Sequence, residues 1–302
     1  MSRLTRETAA GRAYLDLQNR ARRERRRTQD LLTMYVVERW LARMSTSPYA
    51  DDFVLKGGML LASFGSRRPT TDADALARNM PAEEDAVAAR VVEIAGLADP
   101  DDGVVYLTET VKAAMIRDEA LYSGVRVTMD ATLGTARLKL KLDINFGDPV
   151  TPEPSEIELP ALRPGAAPVR ILGYPIATVL AEKISTAIDL GPASTRVRDW
   201  ADIYTLVTTH DLDGAEVRAA VTATMNFRGV VVRTLSDAVD DLVKVRASAY
   251  IAYRRGLGAD GEHLPATFEE VVEMAVRFAD PVLSADTPGV AAQWRTGIRR
   301  WS

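Results

Sequence analysis

VLKGGMLLASFGSRRPTTDAD, residues 54–74, decides how the rest of the chain is read. An apolar strand ends at Lys56, Gly57 and Gly58 follow, MLLASF has the composition of a helix start, and two alternating aspartates, Asp72 and Asp74, come a helix length later. A glycine turn ahead of a helix offers backbone N–H groups to a phosphate. In an extended TDAD, residues 71–74, both carboxylates point to one face, about 7 Å apart along the backbone. Carboxylates at that spacing suit a pair of ions about 3.5–4 Å apart, which activates an attacking oxygen and stabilises a leaving pyrophosphate. Magnesium fits best, because it takes carboxylate and phosphate oxygens and keeps its waters. Each piece has a plainer alternative: a lone DxD is a common turn or cap, and glycines often just end a strand. Their combination points to a nucleoside triphosphate held by metal ions.

The surrounding pattern reads as strands bracketed by helices. Residues 5–45 look helical, with Leu31, Leu32, Tyr35, Val36, Trp40 and Leu41 at spacings of three to five forming a packing face. PAEEDAVAARVVEIAGLA, 81–98, opens with proline and an acidic first turn, then places Val87, Val91 and Ile94 at helical period. Short strands are expected at 104–107, 124–133 and 136–146. In the last, Leu138, Leu140, Leu142, Ile144 and Phe146 alternate with Lys139, Lys141, Asp143 and Asn145, as in a strand buried on one face. Gly134 and Thr135 turn the preceding strand back into it as a hairpin. Asp143, on the polar face, is the candidate third carboxylate; its alternative is a solvated residue on a half-buried strand. Proline-rich 148–168 reads as an extended connector at a domain boundary, and the chain beyond 175 is mostly helical. The reading is therefore α+β: a helical region over 1–50, a mixed-sheet core over 51–170 and a helical domain over 171–302.

Composition excludes several alternatives. The 302 residues are 47% apolar and 26% charged, enough to bury one large or two moderate cores. No run of about 18 apolar residues and no apolar leader appears, so a cytoplasmic protein with no membrane span is expected. With no cysteine there is no disulfide framework, thiolate metal site or cysteine nucleophile. Only His210 and His263 are present, in polar contexts, which argues against a histidine triad or zinc site. The net charge of −4 conceals a basic run, NRARRERRR at 19–27. On a helix Arg20, Arg23 and Arg27 fall on one side, as a solvated face, a contact with a partner protein or an RNA contact. QWRTGIRRW, 293–301, suits either base stacking or a C-terminal helix docking Trp294 and Trp301 on the body.

KGG at 56–58, Arg67, TDAD at 71–74, KLKLDINF at 139–146, VLAEKISTAIDL at 179–190 and TRVRDWADIYTL at 195–206 together resemble the AbiEii toxin family of nucleotidyltransferases, from type IV toxin–antitoxin systems. The mycobacterial MenT nucleotidyltransferases are members of it. The resemblance covers roughly residues 53–207. It implies a DNA polymerase β-like nucleotidyltransferase core, with Gly57 and Gly58, beside Lys56, in the phosphate-binding turn. The superfamily usually has Gly-Ser there, so the hydroxyl is missing from this chain. Asp72 and Asp74 would be metal ligands for two Mg2+ ions, with Asp143 matching the third carboxylate. On pattern alone Lys183 is a snorkelling lysine at the edge of a packed helix face; the resemblance turns it toward the triphosphate, and Arg67 toward phosphate. Asp199 and Asp202, either surface acids or residues that orient Arg196, Arg198 and Lys183, are read as supporting or base-like residues, Asp202 with the catalytic set and Asp199 with the nucleotide-binding set. The implied reaction transfers a nucleoside monophosphate from an NTP to an RNA acceptor, the tRNA 3′ end by analogy, so blocking translation, with a cognate antitoxin as partner. Two alternatives stay open: nucleotidylation of a protein, and a nucleotide-binding interaction module that transfers nothing.

Overall fold

The computed structural model describes residues 4–117, 123–239, 241–284 and 292–302. The chain divides into two compact units, Met1–Gly147 with Ser155–Gly173, and Asp148–Pro154 with Tyr174–Ser302.

In the first unit the helical N-terminal region is two helices, α1 (Ala9–Glu24) and α2 (Thr28–Ser45). The two are separated where Arg25 takes a left-handed conformation and the Arg26 N–H closes back on the Ala21 carbonyl at 2.9 Å. Arg27 therefore lies beyond the helix that carries Arg20 and Arg23, and the three do not share one face. All six residues of the expected packing face of α2 are buried.

A seven-stranded mixed sheet forms the centre of this unit, in the order β3-β4-β5-β2-β1-β7-β6. Its strands are β1 (Phe53–Lys56), β2 (Ala73–Ala77), β3 (Val104–Arg117), β4 (Ser123–Leu133), β5 (Ala136–Phe146), β6 (Ser155–Leu159) and β7 (Val169–Gly173). The alternation at 136–146 is β5, with Leu138, Leu140, Leu142 and Ile144 buried. The hairpin turns at Gly134–Thr135, pairing Leu133 with Ala136. The strand expected at 104–107 continues to Arg117, because an irregularity between Leu107 and Lys112 resets its pairing with β4 and hides the period. The supposed connector holds β6, since Ser155–Leu159 is a proline-free window between Pro154 and Pro160 that pairs with β7. Beside the sheet, α3 (Gly57–Leu60) is a single turn continued by a 3-10 turn at Leu61–Phe64, and α4 (Glu84–Ala95) buries Val87, Val91 and Ile94.

The second unit is mainly helical: α5 (Ile176–Leu190), α6 (Val197–Thr209), α7 (Gly214–Arg228), α8 (Leu235–Ala238), α9 (Leu242–Gly256) and α10 (Phe268–Leu283). It ends in strands rather than a helix. β8 (Leu212–Asp213), β9 (Gln293–Arg295) and β10 (Arg300–Trp301) make a small sheet. Trp294 is fully buried, donates its indole N–H to the Val207 carbonyl at 2.6 Å, and meets Phe278 and Trp301 with ring centroids 5.1 and 5.5 Å away. Of the two roles open to these tryptophans, packing is the one the structure shows.

Candidate active site

Four neighbouring strands carry one row of charged residues across the first unit. Lys56 of β1 is the cross-strand partner of Asp74 on β2, Asp74 is the partner of Asp143 on β5, and Asp143 is the partner of Arg126 on β4. Partners in register project to the same face, so the row reads cation, carboxylate, carboxylate, cation. Lys56 is buried, as lysines rarely are.

The glycine turn is fitted to this row. Gly57 has φ +67, and a Cβ placed there would lie 2.0 Å from Asp74 Oδ2. Only glycine meets both demands, the left-handed backbone and the close approach. A Cβ on Gly58 would lie 3.0 Å from Thr70 Oγ1 and 3.2 Å from Arg68 Nη1, so the same turn also faces Thr70 and Arg68. Asp72, just before β2, accepts from Thr70 Oγ1 at 2.9 Å and from Lys141 Nζ at 2.8 Å. Lys141 Nζ is also 3.8 Å from Asp143 Oδ2 and so bridges the first and third carboxylates. Asp143 receives Nε–H and Nη2–H of Arg126, both at 2.7 Å. This fork holds the Arg126 pKa above its ordinary value, with Asp72 and Asp74 adding smaller contributions.

Arg67 stands apart from this row. Its guanidinium donates to the Pro160 carbonyl, and burial pulls its pKa down against the opposing charge of Glu38. Glu38, fully buried on α2, accepts from the Leu162 N–H at 2.7 Å and from Arg39 at 2.9 Å. Lys139, on the polar face of β5, pairs with Asp130 at 2.7 Å.

In the second unit three of the expected residues come together. Lys183 on α5 donates to Asp199 Oδ1 at 2.7 Å and to Asp202 Oδ2 at 2.8 Å, both on α6. The side chains of Lys183, Asp199 and Asp202 are 13%, 23% and 4% exposed. The lysine therefore does not snorkel: the apolar face of α5 carries its ammonium inward to two carboxylates. Asp199 lies in the first turn of α6, where the helix dipole favours negative charge.

Residues 39–274 match the family model described as nucleotidyl transferase AbiEii toxin, type IV TA system. The chain belongs to the AbiEii nucleotidyltransferase toxin family. Among solved structures it is similar to MenT4, a nucleotidyltransferase toxin of Mycobacterium tuberculosis H37Rv, at 19% identity over 86% of this chain and 93% of that one, with a TM-score of 0.48. It is also similar to a protein of H. pylori described as a candidate nucleotidyltransferase, at 16% identity over 82% and 90% of the two chains, with a TM-score of 0.46. No curated protein matches the chain. The AbiEii match takes in both the charged row of the sheet and the Lys183 trio. Membership makes the chain a nucleotidyltransferase toxin with an NTP as substrate and an antitoxin as its system partner.

Sequence reasoning missed Arg126 and Arg68 and read Lys141 only as part of the polar face of β5. One signal was available: counting back along the hairpin from the Leu133–Ala136 pair places Arg126 opposite Asp143. Arg68 carried no such signal, since its approach to Gly58 depends on the path of the loop.

Proposed function

We propose that this AbiEii-family toxin transfers a nucleoside monophosphate from an NTP to a hydroxyl of RNA, namely the 3′ end of tRNA, in the cytoplasm. The observation that carries the reading is the charged row beneath the glycine turn, with Gly57 so close to Asp74 that no side chain fits between them. The acceptor hydroxyl gives up its proton to water as its oxygen bonds to the α-phosphorus, the bond from that phosphorus to the oxygen bridging to the β-phosphate breaks, and pyrophosphate leaves.

The residues present fit a metal at two of the three expected positions. Magnesium is commonly held by one or two carboxylates together with water and phosphate oxygens, and Asp72 and Asp74 supply such a pair. Asp143 already gives both of its oxygens to Arg126, and among the described residues no group of three or more histidine, cysteine or acidic side chains gathers as a metal cage. Bound Mg2+ would supply charge neutralisation at the phosphates and a more acidic acceptor hydroxyl. The turn at Gly57 and Gly58 brings backbone toward the phosphates, and Arg68 and Lys141 add positive charge beside it. Lys183, held by Asp199 and Asp202, is assigned to negative charge that develops in the transition state. The antitoxin of such a system would act by binding the toxin or by reversing its modification. Among the described residues no helix is long and apolar enough to cross a membrane.

The test is incubation of the purified protein with Mg2+, total tRNA and each α-labelled NTP in turn, beside an Asp72→Ala, Asp74→Ala control. Label on tRNA that disappears in the control supports the reading. Label on a protein instead of RNA moves the acceptor to a side chain, and NTP binding without transfer to either leaves a binding module.

A further inference from the structure

Arg126 differs from the other cations of the site in how it is held. Its Nε–H and Nη2–H go side-on to the two oxygens of Asp143, and Asp143 is 12% exposed whereas Arg126 is 42% exposed. A guanidinium carries five N–H donors, so the fork leaves three on the edge away from Asp143. The cross-strand row fixes the base of this pair at both ends, since Arg126 and Asp143 are also register partners. A planar cation anchored by one carboxylate, with donors left over on the sheet face that also carries Asp74 and Lys56, suits bidentate phosphate recognition. The same fork works against metal ligation by Asp143. A divalent ion added there would meet a positive charge already in contact with both oxygens, and the repulsion opposes it.

We propose that Asp143 is a positioning residue for Arg126 rather than a metal ligand, and that the three remaining donors of Arg126 bind the triphosphate of the incoming nucleotide. This rests on the nucleotidyltransferase reading and assigns two of its residues.

Two measurements on the full chain test it. Mn2+ binding without nucleotide is followed by electron paramagnetic resonance, and NTP and NMP affinities with Mg2+ by isothermal titration calorimetry. Asp143→Asn leaves Mn2+ binding as in the wild type, whereas Asp74→Asn weakens it. Arg126→Ala weakens NTP binding by about 10- to 100-fold, as expected for loss of charge-assisted hydrogen bonds, with NMP binding unchanged. Arg126→Lys, which keeps the charge without the fork, falls between, and carries the test if the alanine variant does not fold. Asp143→Asn weakens NTP binding in the same direction as Arg126→Ala. An Asp143→Asn variant that loses Mn2+ as Asp74→Asn does, or an Arg126→Ala variant with unchanged NTP affinity, overturns the inference. Binding results as expected, with no label transferred to any acceptor, overturn the transfer reading alone. A wild type that binds neither Mn2+ nor NTP overturns both.

Discussion

Gly57→Ala is the perturbation whose consequence follows most directly from geometry. The new methyl would sit 2.0 Å from Asp74 Oδ2, 2.6 Å from its Cγ and 2.9 Å from its Cβ. Turning the carboxylate away relieves the first two contacts but not the third, because the Asp74 Cβ is fixed by the pairing of β2 with β1 and β5. The backbone must therefore give as well. A left-handed conformation costs a residue with a Cβ about 1–2 kcal/mol, and an extra methyl in a packed site costs about 1–3 kcal/mol. Together these predict a loss of about 2–5 kcal/mol in the first unit. At about 2–4 °C per kcal/mol for a unit of this size, the melting temperature falls by at least about 4 °C. Differential scanning calorimetry of the wild type, Gly57→Ala, Asp74→Ala and the double variant gives the partition. In the double variant the two closest contacts disappear, so only the backbone cost of about 1–2 kcal/mol and a residual Cβ contact remain. Transfer activity of Gly57→Ala falls about 100-fold, as expected when a reacting group is misplaced by about 1 Å. A Gly57→Ala protein within about 0.5 kcal/mol of the wild type, the usual range of a neutral surface change, would refute the argument. So would strict additivity with Asp74→Ala.

Three further outcomes follow from the structure. Lys183→Met removes the ammonium that Asp199 and Asp202 share and lowers stability by about 3–5 kcal/mol, as for a broken buried pair; adding Asp202→Leu restores part of the loss in urea unfolding, whereas a solvated lysine would show neither effect. Glu38→Gln changes the pH dependence of stability. Burial raises the Glu38 pKa in the folded chain, outweighing the cations and the Leu162 N–H; the folded state therefore binds the proton more tightly than the unfolded one, and wild-type stability falls as pH rises from the unfolded carboxylate value toward the raised one. The variant should gain on the wild type over that rise in urea titrations, and a constant difference would count against it. Trp294→Ala removes a fully buried ring and costs about 3–5 kcal/mol, while RNA affinity measured below the melting transition stays at the wild-type value; a selective loss of RNA binding would reinstate base stacking.

Much of the sheet and of the site was legible because local chemistry and tertiary demand coincide there. Strict alternation over 136–146 gave β5 its bounds, the Gly134–Thr135 turn gave the hairpin, and the face of α2 was readable at helical period. The glycine turn and DxD were visible because close approach and charge convergence need particular residue types. What was hidden involved pairing that the local pattern does not announce. The irregularity in β3 breaks its period, β6 lies among prolines, and β9 and β10 have too few residues to show one. The end of α1 carries no glycine, since Arg25 itself takes the left-handed turn. Arg67 was assigned to phosphate from the family resemblance, yet its guanidinium meets Pro160 and the field of Glu38, while its neighbour Arg68 reaches Gly58.

The charge pattern of the row also bears on how a site rich in carboxylates accepts a polyanion. Asp72, Asp74 and Asp143 are matched by Lys141, Lys56 and Arg126, through hydrogen bonds at Asp72 and Asp143 and through strand register at Asp74. Three aspartates without these cations would repel a triphosphate. With them, the negative charge of the row is offset, and the half-exposed guanidinium of Arg126 presents positive charge to the phosphates. The Lys183 trio has the opposite balance, one ammonium against two carboxylates, with two of its three N–H donors given to the aspartates. Its charge is therefore largely offset within its own unit, and its orientation is what the pair of aspartates secures. Substituting Lys183 by arginine keeps the charge but replaces a compact three-donor head with a planar fork, so activity should fall even where the positive charge survives.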